Sequence, residues 1–523
     1  DNGCRIMYFS PIHDSEIPHD ADGVIFWGGY PERFAKELSE NKSMLKSVKK
    51  VIDSGIACIA ECGGFLYLHS YLEETDGKKY PMAGIIDGEA VNGKRLQRFG
   101  YMEVTPVSDG MACRCMQPLK THEFHYWKSC NPGSDFQVKK VSDESISMAG
   151  YNTEKLYAAF MHIYFYGNEE FGMNFIKKSC EYAAKKHWDN IAKPLNGLGD
   201  FEDIIVKIAG IQNTEHVDIS KKALVIMCAD NGIVEENVSQ SGQDVTAIVA
   251  ANMASRKSSV CLMAGYTGAQ VIPVDIGIAC ETIPSGEKID DMDGILHKKI
   301  SHGTKNFLKE HAMTDKQCIK AIETGKEIVK MCSEKGINII ATGEMGIGNT
   351  TTSAALAAIL LDEKPENVTG YGAGLTNEGL KNKTETVRKA CEMYSGYKDD
   401  ALKLLSCIGG LDIAGLAGVF IGGAEYGIPV VIDGLISGIA ALTAEYMSPG
   451  TKKYMIASHA GKEPALKKIL AHLELKPVID ANLALGEGSG AVMVFPLLDM
   501  AMSVYNESNT FENIDMEAYE CLH

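Results

Sequence analysis

Short apolar runs that stop at glycine recur along this chain, and helical spacing follows each of them. Gly23–Trp27 (GVIFW) ends in Gly28 and Gly29, and helical spacing begins near Glu32 and again at Ser43. Ile56–Ala60 (IACIA) ends in Glu61, Cys62, Gly63 and Gly64, and Phe65–Leu68 reads as the start of another helix. The pattern resumes with strands at 223–228, 260–263 and 270–274 and a helix at 245–254. A strand at 336–341 then enters a glycine-rich loop at 342–351, a helix runs on to Leu361, and a strand follows at 429–432. Such alternation predicts an α/β fold on parallel sheets, with ligands gathered at the carboxyl ends of the strands.

A chain of 523 residues is too long for one ordinary core, so two or more domains are expected. Lys185–Gly199 carries Pro194, Asn196 and Gly197 between two helical patterns, which places the boundary between 1–185 and 186–523. A net charge of −18 argues against a nucleic-acid partner, which needs a basic face. The 15 cysteines are scattered without a C-x-x-C pair, and Cys113 and Cys115 are too isolated to suggest zinc, so a reducing cytoplasm is the simplest setting. No apolar run is long enough to span a membrane, and no leader is visible. The chain opens at Asp1, directly before a strand-like run at Arg5–Phe9, so further N-terminal residues are expected ahead of it.

Cys62 stands between a predicted strand and a predicted helix, with two glycines behind it. Glycines permit the sharp turn that pushes a thiol outward, and the start of a helix favours thiolate. A cysteine nucleophile needs a base, and His162, His122 and His125 are the candidates. Gly28 and Gly29 could offer backbone N–H groups to an oxyanion.

Trp27–Glu32 (WGGYPE), Ala60–Leu68 (AECGGFLYL), Gly100-Tyr101, His122–Tyr126 (HEFHY) and His162 resemble, in that order, the glutamine amidotransferase domain of cobyrinate a,c-diamide synthases. The resemblance covers about residues 1–180 and implies a class I-type amidotransferase α/β fold that is truncated here. It makes Cys62 the nucleophile on a glutamine amide and His162 its base. The family has a second histidine where this chain has Tyr164. The family's first strand and its synthetase domain, which would hold ATP and magnesium, are not found in this sequence. A central strand missing from the sheet is expected to displace Cys62. A scaffold role for this half is the alternative reading.

Thr342–Thr352 (TGEMGIGNTTT) combines Gly343, Gly346 and Gly348 with Asn349, Thr350 and Thr351 at the head of a helix. Close backbone approach, hydroxyl donors and a helix N-terminus together suit a phosphate, and Lys383 is the candidate cation. Leu485–Ala491 (LGEGSGA) sets Glu487 among glycines, where desolvation would make it a usable base.

These segments resemble the nicotinate mononucleotide:5,6-dimethylbenzimidazole phosphoribosyltransferases. Lys193-Pro194, Ala229–Gly232, Val245–Ile248, Val274–Gly277, Gly343–Thr351, Lys383, Gly409–Asp412, Asp433-Gly434, Ser458-His459 and Gly486–Gly490 run in the family's order over about residues 187–505. Asn231 replaces the family's histidine. The resemblance implies a doubly wound parallel sheet with a small helical subdomain, a homodimer, and transfer of phosphoribose to an aromatic base without metal or cofactor. It makes Glu487 the base and Glu344 a carboxylate facing positive charge on the ribose. It places the 5′-phosphate on the glycine loop and Lys383, and the aromatic base near Ser241. Both halves then belong to cobamide biosynthesis.

Overall fold

The structure is a computed structural model and describes residues 3–113, 116–281, 294–372 and 374–519, so Cys115 lies outside the described residues. The chain divides into two compact units. The first is made essentially of residues up to Asn190, and the second of Ile191–Ile211 and Val217–Glu517. The helix Glu169–Asn190 runs unbroken through residue 185, where the sequence places the boundary.

The first unit's working strands are β1 (Gly23–Phe26), β2 (Ala57–Glu61), β3 (Arg98–Pro106), β4 (Leu119–His125), β5 (Tyr151–Asn152), β6 (Leu156–Ala159) and β7 (His162–Ile163). One sheet has the order β1-β2-β6-β5, with β2 pairing in parallel to β1 on one side and β6 on the other. Every residue of β2 is buried, as a strand covered on both faces requires. An antiparallel sheet continues through 146–149, 136–140, β3, β4 and β7. The sheet that carries Cys62 therefore has no internal gap, contrary to expectation, and β1 is its outer strand among the described residues. Arg5–Phe9 does not form the expected strand. Ile6 and Tyr8 are exposed, Arg5 pairs with Asp20, and Phe9 rests edge-to-face on Phe26. An apolar run becomes a strand only where its N–H and C=O groups find a ladder.

The second unit holds β8 (Lys222–Ala229), β9 (Gln270–Gly277), β10 (Leu296–His297), β11 (Ile339–Met345), β12 (Val430–Ile432) and β13 (Met455–Ala457). Its parallel sheet has the order β10-β9-β8-β11-β12-β13. The first strand in the chain is central. Later strands run outward on one side and then on the other, so the winding reverses between β8 and β11. The crevice at their carboxyl ends is where such sheets bind ligands.

The helices used below are α1 (Gly63–Tyr67), α2 (Asp244–Ala254), α3 (Ser259–Thr267), α4 (Asp315–Glu334), α5 (Asn349–Leu360), α6 (Asn377–Tyr394), α7 (Leu411–Tyr426) and α8 (Ser489–Glu507). The strand expected at 260–263 is part of α3. Ser258 caps its start by accepting the Cys261 N–H, and Gly268 ends it in the left-handed conformation. A cap at each end outweighs a short apolar run that suits either structure.

Helices α4 and α7 meet backbone to backbone. A Cβ on Gly325 would overlap the Gly415 carbonyl oxygen, and one on Gly418 would overlap the Ile322 carbonyl oxygen. This close approach fixes α7, whose first turn carries the buried Asp412. Gly418→Ala is expected to lower stability by about 1–3 kcal/mol, because the neighbour that must move is main chain. Chemical denaturation of the two proteins measures it.

Candidate active sites

In the first unit β2 ends at Glu61, and Cys62 turns the chain into α1 with φ 50° and ψ −101°. A non-glycine residue with positive φ costs of order 1–3 kcal/mol and persists only where its surroundings enforce it. The enforcement is steric. A Cβ on Gly63 would stand 2.7 Å from the Gly29 carbonyl oxygen, and one on Gly64 would overlap that of Phe26. The Cys62 N–H donates to the Ala159 carbonyl at 2.8 Å, and Sγ lies 3.8 Å from the Phe124 carbonyl oxygen.

His162 leaves β6 for β7 and brings its ring to the thiol. A hydrogen bond with the Cys62 side chain, and then the Glu61 carboxylate, raise the ring to about 10. Glu61 Oε2 lies 3.1 Å from His162 Nδ1, and Oε1 accepts the Ile163 N–H at 3.0 Å. A Cβ on Gly28 would reach within 2.8 Å of His162 Cε1, so the Gly28-Gly29 loop lies against the pair. His122 sits opposite His162 in the β4–β7 register, its ring edge-on to Phe99 and Tyr101. His125 is stacked flat on Phe160, with Nδ1 2.6 Å from the Trp127 carbonyl oxygen. Of the three candidate histidines, His162 is the one joined to the thiol. Glu61 adjoins Cys62 in sequence, yet the sequence reading assigns it no role.

The second site lies at the winding reversal. Asp230 and Asn231 follow β8, and Glu344 lies near the end of β11. Gly348, at φ 94°, opens α5. Asn349 Nδ2 donates to Glu344 Oε2 and, at 3.0 Å, to Asp412 Oδ2. Asn231 Oδ1 accepts from Thr352 Oγ1 at 2.9 Å, so the residue standing for the family's histidine ties the loop after β8 to α5. Burial and the Asp412 charge push Glu344 up to about 8, and burial pushes Asp412 to about 6. Glu344 therefore holds a proton more tightly than an ordinary carboxyl, while its Oε2 accepts from Asn349.

Lys383, on α6, is fully buried, and its Nζ lies 2.9 Å from Thr350 Oγ1. Desolvation lowers it to about 8, against the opposing field of the Glu463 carboxylate. Gly372 adjoins both groups, and Glu463 accepts its N–H at 3.0 Å. The first turn of α5 therefore faces two ways, Asn349 toward the carboxyls and Thr350 toward the ammonium. Thr351 is fully buried, and its Oγ1 has no hydrogen-bond partner among the described residues. Ser241 is half-buried in the loop ahead of α2, next to Gln240, which donates to the Gly374 carbonyl oxygen at 2.6 Å.

Glu487 stands at φ 61° between Gly486 at 81° and Gly488 at 95°. Asp433, after β12, holds this turn by accepting the N–H groups of Gly488, Gly490 and Ala491 at 3.2, 2.7 and 3.1 Å. A Cβ on Gly343 would overlap the Glu487 carbonyl oxygen, and one on Gly486 would stand 3.2 Å from Glu344 Oε1, so the two glycine loops close on each other. Among the described residues Glu487 Oε2 is buried without a partner, and desolvation raises its carboxyl.

A family model described as "Phosphoribosyltransferase" matches residues 173–515. The chain belongs to the phosphoribosyltransferase family. A second model, the CobB/CobQ-like glutamine amidotransferase domain, matches residues 2–170. The nicotinate-nucleotide–dimethylbenzimidazole phosphoribosyltransferase of Acetivibrio thermocellus is 44% identical over 338 residues, 64% of this chain and 93% of that relative. The enzyme of the same name from Clostridium acetobutylicum is 42% identical, covering 67% of this chain and 97% of that one. The crystal structure of CobT from Thermus thermophilus matches with a TM-score of 0.61 at 32% identity, over 65% of this chain and 99% of that one. The amidotransferase match lies within the first unit, and the phosphoribosyltransferase match covers most of the second but begins inside the first, at residue 173.

Asp433 has no role in the sequence pattern beyond its place in the order, and the structure makes it the anchor of Glu487. Asp433→Asn removes the anionic acceptor of three N–H groups. Transferase turnover is expected to fall about 10²-fold, the scale of a displaced catalytic group. Steady-state kinetics, with a thermal melt to confirm folding, checks this.

Proposed function

We propose that the second unit transfers phosphoribose from nicotinate mononucleotide to 5,6-dimethylbenzimidazole or a related base. The carrying observation is the fully buried Lys383, bonded to Thr350 and lowered by desolvation despite the opposing field of the Glu463 carboxylate. A buried ammonium calls for an anion, and a 5′-phosphate supplies it, with Thr350 and the Gly372 backbone beside it. In this reading the azole nitrogen attacks ribose C1 and nicotinate leaves with the bonding electrons. Configuration at C1 inverts, and Glu487 takes the azole proton. Its buried, unpartnered Oε2 and raised affinity for a proton suit a base near neutral pH. Phosphate anchoring and proton removal carry the reaction in this reading, and no resident metal or cofactor is assigned to it.

The first unit fits hydrolysis of glutamine. Cys62 passes its proton to His162 and the thiolate attacks the side-chain amide carbon. Ammonia then leaves with the proton from His162, and water cleaves the thioester to glutamate. Amidation of a corrin carboxylate would draw ATP and magnesium from a synthetase partner. The exposed Leu262 and Tyr266 of α3, with Met493 and Met500 of α8, offer an apolar face to a second copy of the chain. No described helix is long and apolar enough to cross a membrane. The described cysteines are free thiols, which supports a cytoplasmic setting.

The full chain incubated with nicotinate mononucleotide and dimethylbenzimidazole is expected to release nicotinate, and silence with every azole and phenol tried would overturn the assignment. Glu487→Gln should cut turnover about 10²–10⁴-fold with mononucleotide binding nearly intact. Lys383→Met should instead weaken binding by about 1.5–3 kcal/mol.

The pH dependence of binding is a separate check. Lys383 is charged below about pH 8 and neutral above it, so mononucleotide affinity should fall as pH rises through about 8. Titration calorimetry across this range should show that limb in the wild type and none in Lys383→Met.

A further inference from the structure

Glu61 is a carboxylate with only 2% of its surface exposed, one residue before the nucleophile. Both of its oxygens are committed to consecutive residues of β7: Oε2 to the His162 ring at Nδ1 and Oε1 to the Ile163 N–H. Ring and main chain are thus gripped by one side chain. With Nδ1 turned to the carboxylate, Nε2 is left to face the thiol. Tyr164, two residues beyond His162, cannot do this work, because it is 67% exposed and rests against Tyr166.

We propose that Glu61 is a positioning residue of the Cys62–His162 pair, holding the Nδ1–H tautomer of His162 and stabilising the imidazolium that forms when the thiol gives up its proton. The inference rests on the reading of Cys62 and His162 as a glutaminase pair. The rival role is a strut that merely ties β7 to the end of β2. Charge separates the two. A buried carboxylate facing Nδ1 favours the protonated ring, whereas a strut needs only an acceptor for the Ile163 N–H. The groups that act on the ring are Cys62 and Glu61, and His122 is the titratable residue paired with His162 in the β4–β7 register.

Glu61→Gln keeps the shape and removes the charge. If its oxygen stays on Ile163 N–H, its amide NH₂ faces Nδ1 and drives the ring to the other tautomer, which cannot accept the thiol proton. In the serine-protease triad the equivalent change costs about 10⁴ in turnover.

The test uses the full chain with labelled histidine. Ammonia release from glutamine is followed against pH, and the His162 titration is followed by NMR, assigned by its loss in His162→Gln. In Glu61→Gln, ammonia release should fall about 10²–10⁴-fold. The His162 midpoint should drop by a unit or more toward the ordinary histidine value. Glu61→Asp, which keeps the charge, should retain most of the raised midpoint. An unmoved midpoint in Glu61→Gln, or activity lost while the midpoint stays in place, would overturn the proposal and leave the strut. A wild-type chain that releases no ammonia would sink the glutaminase reading, and the titration would still decide whether Glu61 holds the ring.

Discussion

The transferase site hangs on one carboxylate. Asp433 gathers three N–H groups from the turn that carries Glu487, and this turn packs its backbone against Gly343 at the end of β11. Backbone N–H groups buried without an acceptor are costly, so the turn has no comparable alternative resting place. Three successive residues with positive φ follow from that anchorage. The position of Glu487 is therefore set by β12, a strand distant from it in sequence, and not by the residues beside it.

Desolvation does most of the electrostatic work in that crevice. It lifts Glu344 and Asp412 above ordinary carboxylates and lowers Lys383 beneath an ordinary ammonium. Asn349 is the moderator, with one amide group shared between two carboxyls. The amidotransferase unit is arranged differently. There a strained turn carries the half-buried Cys62, and a strand pairing holds His162.

The turn at Cys62 and the two glycine loops are legible because their geometry is local: a strand, a glycine turn and the start of a helix are read in one window. Glu61 was hidden by its neighbour. Its partners, His162 and Ile163, lie far along the chain, and nothing in the sequence says that β7 returns there. Asp433 was visible only as part of a pattern, since its partners lie far along the chain. The apolar runs at 5–9 and 260–263 misled for a common reason. Hydrophobicity records a wish for burial, and capping or an available sheet edge decides the form in which burial is reached.

The glycine contact between α4 and α7 bears on how the molecule comes apart. Helices held through flexible side chains can slide by small degrees, whereas main chain seated on main chain either meshes or separates. Asp412 begins α7, and Asn349 links Asp412 to Glu344 at the end of a central strand. Core and crevice should consequently melt together as one cooperative block, and the transferase should lose its catalytic geometry at the temperature at which it loses its sheet, with no inactive folded stage between.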